Sequence, residues 1–166
     1  MLEKQFLSPT VNMYFTQPDF VKFLLNLDYY LNDELCFIHT NETTPVATLG
    51  GKDTIPLITL HFNHAGSRQE AKDNWERRKK RINKDNLYIM LYNLDGITEE
   101  EIHLLDNFKC NNKVLLSQTP VPGVNWSYQI IPDKRSKYSS AYLGKDIFGV
   151  RWIEKKFDFV EFLNQK

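Results

Sequence analysis

The stretch LYIMLYNLDGITEEEIHLLDNFKCNNKVLLS, residues 87–117, decides the fold. Its first six residues, Leu87 to Tyr92, form a short apolar run of the length of a buried strand. Thr98 followed by Glu101 is a capping box, and the helix it opens is expected to run to about Phe108. Lys113 to Ser117 is a second apolar run. Strand, helix and strand in about thirty residues is the order and length of a βαβ unit, whose strands are parallel.

Working outward, Ile55 to Phe62 reads as another strand, and Ser67 with Glu70 forms a second capping box. The helix that follows is expected to reach about Asn83, where Asp85 and Asn86 break it. Taken with the strand at 87, this is a second βαβ unit sharing that strand. The expected class is therefore α/β, a three-layer fold with a mostly parallel sheet and helices on both faces. Further upstream, Pro18 and Asp19 start a helix over 18–33, with Phe20, Phe23, Leu24, Leu27 and Leu31 as its apolar stripe. Residues 40–54 read as loop with one short strand near Val46 to Leu49. Beyond Ser117, Pro120, Pro122 and Gly123 mark a loop, Trp126 to Ile131 an edge strand, 132–146 a polar stretch, and Phe157 to Leu163 a helix.

Length and composition set limits. A chain of 166 residues is one ordinary domain, 1–166, able to bury roughly two-thirds of its unfolded surface without a metal or disulfide staple. Charges balance at 21 basic against 21 acidic, which removes any global argument for nucleic acid. Cys36 and Cys110 stand far apart with no zinc-type spacing, so no metal site is indicated, and two lone thiols fit a reducing compartment. Neither a signal peptide nor a membrane-length apolar run is present, so the expected place is the cytoplasm, with peripheral contact at the inner membrane the closest approach to lipid.

Three stretches can carry chemistry. The helix at 67–84 holds eight basic residues against Glu70, Asp73 and Glu76, either a solvated face with internal pairs or a site for an anion. On its wheel Ala71, Trp75, Arg78 and Ile82 share one face, so Arg78 must snorkel, pair internally or grip a ligand carboxylate or phosphate. His61 and His64 sit at a strand end, where α/β folds bind ligands; either is a structural histidine or a general base, and alternation sends only one of them into a given space. Ser8 and Thr10 flank Pro9 ahead of the first helix, as caps of a turn or as ligand contacts. No P-loop, G-x-G-x-x-G, G-x-S-x-G or D-x-D motif occurs, and no cofactor is named by any motif.

The segments Leu7 to Phe15, Asp19 to Leu31, His61 to His64 and Glu70 to Asn83, then Asp85 to Ile89, are similar to a bacterial family of unknown function. Its members are often labelled exopolysaccharide-biosynthesis proteins or acyltransferases of capsule clusters. The resemblance covers about 7 to 117, and is most specific from Trp75 to Asn86. It implies a surface-polysaccharide protein, a sugar-modifying glycosyl- or acyltransferase with an anionic partner such as a nucleotide-sugar or lipid-linked sugar. On that reading Trp75 stacks on a sugar, Arg78 and Arg81 hold phosphate, and His64, or His61, acts as base. Ser8, Thr10, Asn83 and Asn86 complete the candidate substrate contacts. The family pattern also implies an upstream strand with an Asn-Asn-Cys motif; only six residues precede Leu7 here, so that strand is expected to be missing. The rival expectation is a non-catalytic partner of the same machinery, docking its basic helix on a membrane or an acidic protein.

Overall fold

The computed structural model describes residues 8–10, 12–93, 97–110, 112–131 and 150–164. The chain divides into two compact units, Met1–Asn83 and Lys84–Lys166.

In the first unit, α1 (Gln17–Leu25) starts where Thr16 accepts a hydrogen bond from the Asp19 amide, with Pro18 in the first turn. The expected single helix over 18–33 is broken at Asn26, whose φ of −123° leaves the helical region, and α2 (Leu27–Asn32) resumes beyond it. The Asn26 side chain donates to the Lys22 carbonyl and so competes with the helix ladder at that point. Val21, Phe23, Leu24, Tyr30 and Leu31 make the buried face. Asp19 ties α1 to the sheet by accepting from the Thr59 amide at 3.1 Å while pairing with Lys22 at 2.9 Å.

That sheet is antiparallel, in the order β1 (Cys36–Ile38), β2 (Val46–Leu49), β3 (Ile58–His61). Tyr14 extends it by a two-way backbone bridge to His61. Here the structure corrects the sequence expectation. The strand at 58–61 pairs with β2 and not with the strand at 88, so the stretch from 55 to 92 is no βαβ unit and no single mostly parallel sheet forms. The reason is the turn after β2: Gly50, Gly51 and Asp53 all adopt positive φ and send the chain straight back along its neighbour. α3 (Arg68–Lys79) then begins at Ser67, whose hydroxyl accepts from the Glu70 amide. It ends four residues short of the expected Asn83.

In the second unit the βαβ reading holds. β4 (Tyr88–Tyr92), α4 (Glu99–Leu104) and β5 (Asn112–Ser117) follow in order, with β4 and β5 parallel from Tyr88↔Asn112 to Tyr92↔Leu116. The Thr98–Glu101 capping box is complete. β6 (Ser127–Gln129) lies parallel to β5 on its other side, reached through residues 118–126 without a helix. Val114 and Leu116 pack with Ile130, Ile153, Phe157 and Phe162, the last three from α5 (Trp152–Lys156), the residue after it, and α6 (Phe159–Asn164). Leu115, between them, points to the opposite side and is also buried. The polar stretch at 132–146 lies outside the described residues. The described residues are thus mixed α/β, with two small three-stranded sheets, one antiparallel and one parallel.

Candidate functional site

The turn from β3 into α3 closes over a cavity of about 30 Å³ in the first unit. Its wall comes from three places: Pro9, Asn12 and Met13 ahead of α1; Phe62, His64 and Ala65 in the turn; Asn74, Trp75 and Arg78 on one face of α3. The turn is tight because the Ala65 amide donates to the Phe62 carbonyl at 3.0 Å. Asn12 reaches the wall with φ 64°, a left-handed conformation that Asn tolerates better than most residues.

Trp75 and Arg78 face the interior because they fall one turn apart with Ala71, as the wheel requires. Trp75 is 1% exposed, and its ring centre lies 6.3 Å from that of Phe23. It offers no open ring face on which a sugar can stack. What it does offer is Nε1, the buried side-chain donor that makes no hydrogen bond among the described residues. Arg78 is 9% exposed. Burial depresses its pKa, and the nearby Arg77 and Arg81 push it in the same direction. An anion beside it would act in the opposite direction and favour the charged form.

The two histidines separate, but not by strand alternation: His61 ends β3, whereas His64 lies in the turn beyond it. His64 lines the cavity, exposed on its rim. His61 turns away: its Nδ1 is 2.9 Å from Glu42 Oε2, and its ring leans against Tyr14 at 5.5 Å. Ser8 and Thr10 flank a lining residue, but their hydroxyls bind each other at 2.8 Å. Arg81 and Asn83 follow the end of α3 and do not line the cavity. Asn86 is exposed in the 3-10 turn Lys84–Asn86 of the second unit. The structure thus brings together His64, Trp75 and Arg78, and adds Asn12 and Asn74. Asn74 was within reach of sequence reasoning, since it sits four residues before Arg78 on the same helix face; no periodicity marks Asn12.

Much of the basic charge on α3 has structural duties. Lys79 pairs with Glu76 at 2.7 Å and Lys72 with Glu34 at 3.2 Å. Arg77, Arg78 and Lys79 sit in the last turn, where positive charge suits the negative end of the helix dipole. The amide of Gly50, in the Gly50-Gly51 turn, is already occupied by the protein's own anion: Asp33 Oδ2 accepts from it at 2.8 Å.

Among known proteins, the family described as "Domain of unknown function (DUF1919)" matches residues 1–164. An uncharacterized protein of Haemophilus influenzae (strain ATCC 51907 / DSM 11121 / KW20 / Rd) is 34% identical over 164 residues, a span that is 98% of this chain and 76% of that relative. Neither description states an activity. Among the described residues no helix is long and apolar enough to cross a membrane.

Proposed function

We propose, for a chain that belongs to the family of unknown function DUF1919, that the cavity under the β3–α3 turn receives the anionic head of a sugar donor. On this reading the protein acts in surface-polysaccharide assembly, as a transferase or the donor-binding part of one. The observation that carries the reading is a buried guanidinium and an unsatisfied indole N–H on the wall of one cavity. Arg78 presents a planar donor fork suited to a phosphate or carboxylate, and Trp75 Nε1 adds a neutral donor. At about 30 Å³ the cavity takes the head of a ligand, and the sugar or nucleotide lies outside, past His64 at the rim. There His64 is placed to take a proton from an incoming hydroxyl.

Thermal-shift titration with nucleotide-sugars, pyrophosphate and orthophosphate tests this. A ligand at about one hundred times its Kd stabilises the folded state by about 2.7 kcal/mol, readily visible as a rise in melting temperature. The rise should vanish in Arg78→Met and persist, reduced, in Arg78→Lys. Indifference of the wild type to every phosphate compound would remove the donor-site reading. The second reading, docking through α3, draws on the exposure of Arg77 and Lys80. It is favoured by salt-sensitive flotation with anionic vesicles that Arg78→Met leaves unchanged.

A further inference from the structure

A separate groove of about 300 Å³ lies between the β1–β2 loop and the start of α3, lined by residues 38 to 40, 42 to 46 and 66 to 68. We propose that this groove is a second ligand site, for a single neutral saccharide ring. It does not rest on the anion cavity. Phe62 lines that cavity, whereas the preceding residue, His61, faces Glu42 on the groove wall, so the two sites take opposite sides of the chain at the end of β3.

The wall determines the chemistry. The hydroxyls of Thr43 and Thr44 make no hydrogen bond among the described residues, and both residues line the groove. Glu42 uses Oε2 for His61 Nδ1, which fixes the carboxylate in place as an acceptor for ligand hydroxyls. Arg68 is held in place as well. Its guanidinium donates to the Ile38 carbonyl at 3.1 Å, lies 3.3 Å from His39 Nδ1, and rests 6.0 Å above the Phe37 ring. A fixed carboxylate, a fixed guanidinium and free threonine hydroxyls are the groups that a ring bearing several hydroxyls can satisfy together.

The same wall argues against an anion. Two amides at the start of α3 are already engaged by the protein: Ser67 Oγ accepts from the Glu70 amide at 3.1 Å, and Glu70 Oε2 accepts from the Gly66 amide at 2.8 Å. On the wall the Glu42 carboxylate and the Arg68 guanidinium carry opposite charges that cancel, beside the imidazole of His39. The volume is at the low end of the range for small-molecule sites, about 300–1,000 Å³, which suits one ring and not a chain of them.

The test is 15N-detected NMR titration of the full chain with N-acetylglucosamine, galactose and mannose as probes, and glycerol as a polyol control. A single ring in an open groove is expected to bind near the millimolar range, so titration to about 10 mM is informative. The expected result is shifts at the amides of residues 40–44, 46 and 66–68 with at least one monosaccharide and none with glycerol. The double variant Thr43→Val/Thr44→Val should weaken binding about tenfold. Its melting temperature should stay unchanged, because neither hydroxyl supports the fold. Glu42→Gln, which keeps an acceptor but loses its charge, should bind more weakly than wild type and retain the same shift pattern. The proposal is overturned if no monosaccharide shifts these amides, if glycerol shifts them equally, if the valine variant binds as wild type does, or if the shifts centre on His64 and Trp75.

Discussion

At the scale of single residues, the first unit depends on Asp33 and Gly50. Gly50 adopts φ +77°, and a Cβ there would collide with the Pro56 carbonyl and press on the Tyr30 ring. Gly50→Ala should therefore cost on the order of 2–3 kcal/mol in chemical denaturation, without a change in the expressed fold. Tyr30 donates its hydroxyl to that same Pro56 carbonyl at 2.7 Å, and its pKa is pushed up to about 12, chiefly by burial, then by Asp19, Tyr29 and Asp33. Asp33 behaves in the opposite way. Burial acts to raise its pKa, but hydrogen bonds from the Gly50 and Glu34 amides and from Lys52 outweigh it and hold the carboxyl below its ordinary value of 3.8. A carboxyl with a depressed folded pKa adds stability above its unfolded pKa and loses it as pH falls through the folded one. Asp33→Asn should accordingly be less stable than wild type by about 1 kcal/mol above roughly pH 5, with the gap closing toward pH 3. Urea midpoints of the two proteins across that range give the answer, and a gap independent of pH would remove the ionic account. These residues also show the limit of sequence reading. Gly-Gly was visible as a turn, but its anion, Asp33, stands seventeen positions away in a helix cap. Asn12 and Glu42 were hidden for the same reason: their roles come from neighbours that local pattern does not connect.

At the scale of elements, hydroxyl caps were legible and helix lengths were not. Both hydroxyl caps start helices where the side chains predict, because the bonding partners lie three residues apart; the box is reciprocal at Thr98 and Glu101, whereas Glu70 reaches the Gly66 amide and not that of Ser67. Thr98→Ala should cost about 1 kcal/mol and raise hydrogen exchange in the first turn of α4 before elsewhere. The ends are set by contacts from afar. α4 stops at Leu104, and Lys113 of β5 donates to the Leu105 and Asp106 carbonyls just beyond it. Asp106 then gathers the following loop: it accepts from Trp126 Nε1 at 2.7 Å and from His103 Nδ1 at 2.8 Å. α3 was legible as the place where charge and core meet on one helix. The exit of Arg78 toward a cavity was one of several outcomes the wheel allowed.

At the scale of the whole molecule, periodicity identified α/β but not the number of sheets. A strand such as Ile58–His61 has the same apolar pattern whether its neighbour is parallel or antiparallel. The decision was taken by the turn after β2, at Gly50, Gly51 and Asp53, and β1, Cys36–Ile38, which completes that sheet, is too short and too exposed to be seen as a strand beforehand. Net charge is a property the sequence settles directly. With 21 basic and 21 acidic residues and an isoelectric point near 6.9, self-repulsion is least near neutrality. Solubility should pass through a minimum close to that pH and recover on either side; light scattering from pH-stepped samples checks it.

The pairing pattern also sets an order of events in time. Antiparallel β1 and β2 join Cys36 to Thr48, whereas parallel β4 cannot meet β5 until Tyr88 finds Asn112, with a helix to be laid between them. Closing the shorter loop sacrifices less chain freedom, so the hairpins near the amino terminus should nucleate first and the crossover should set the slow step. On a ribosome the same arithmetic favours the chain: the early half can find its strand partners while the residues of the late half are still being joined.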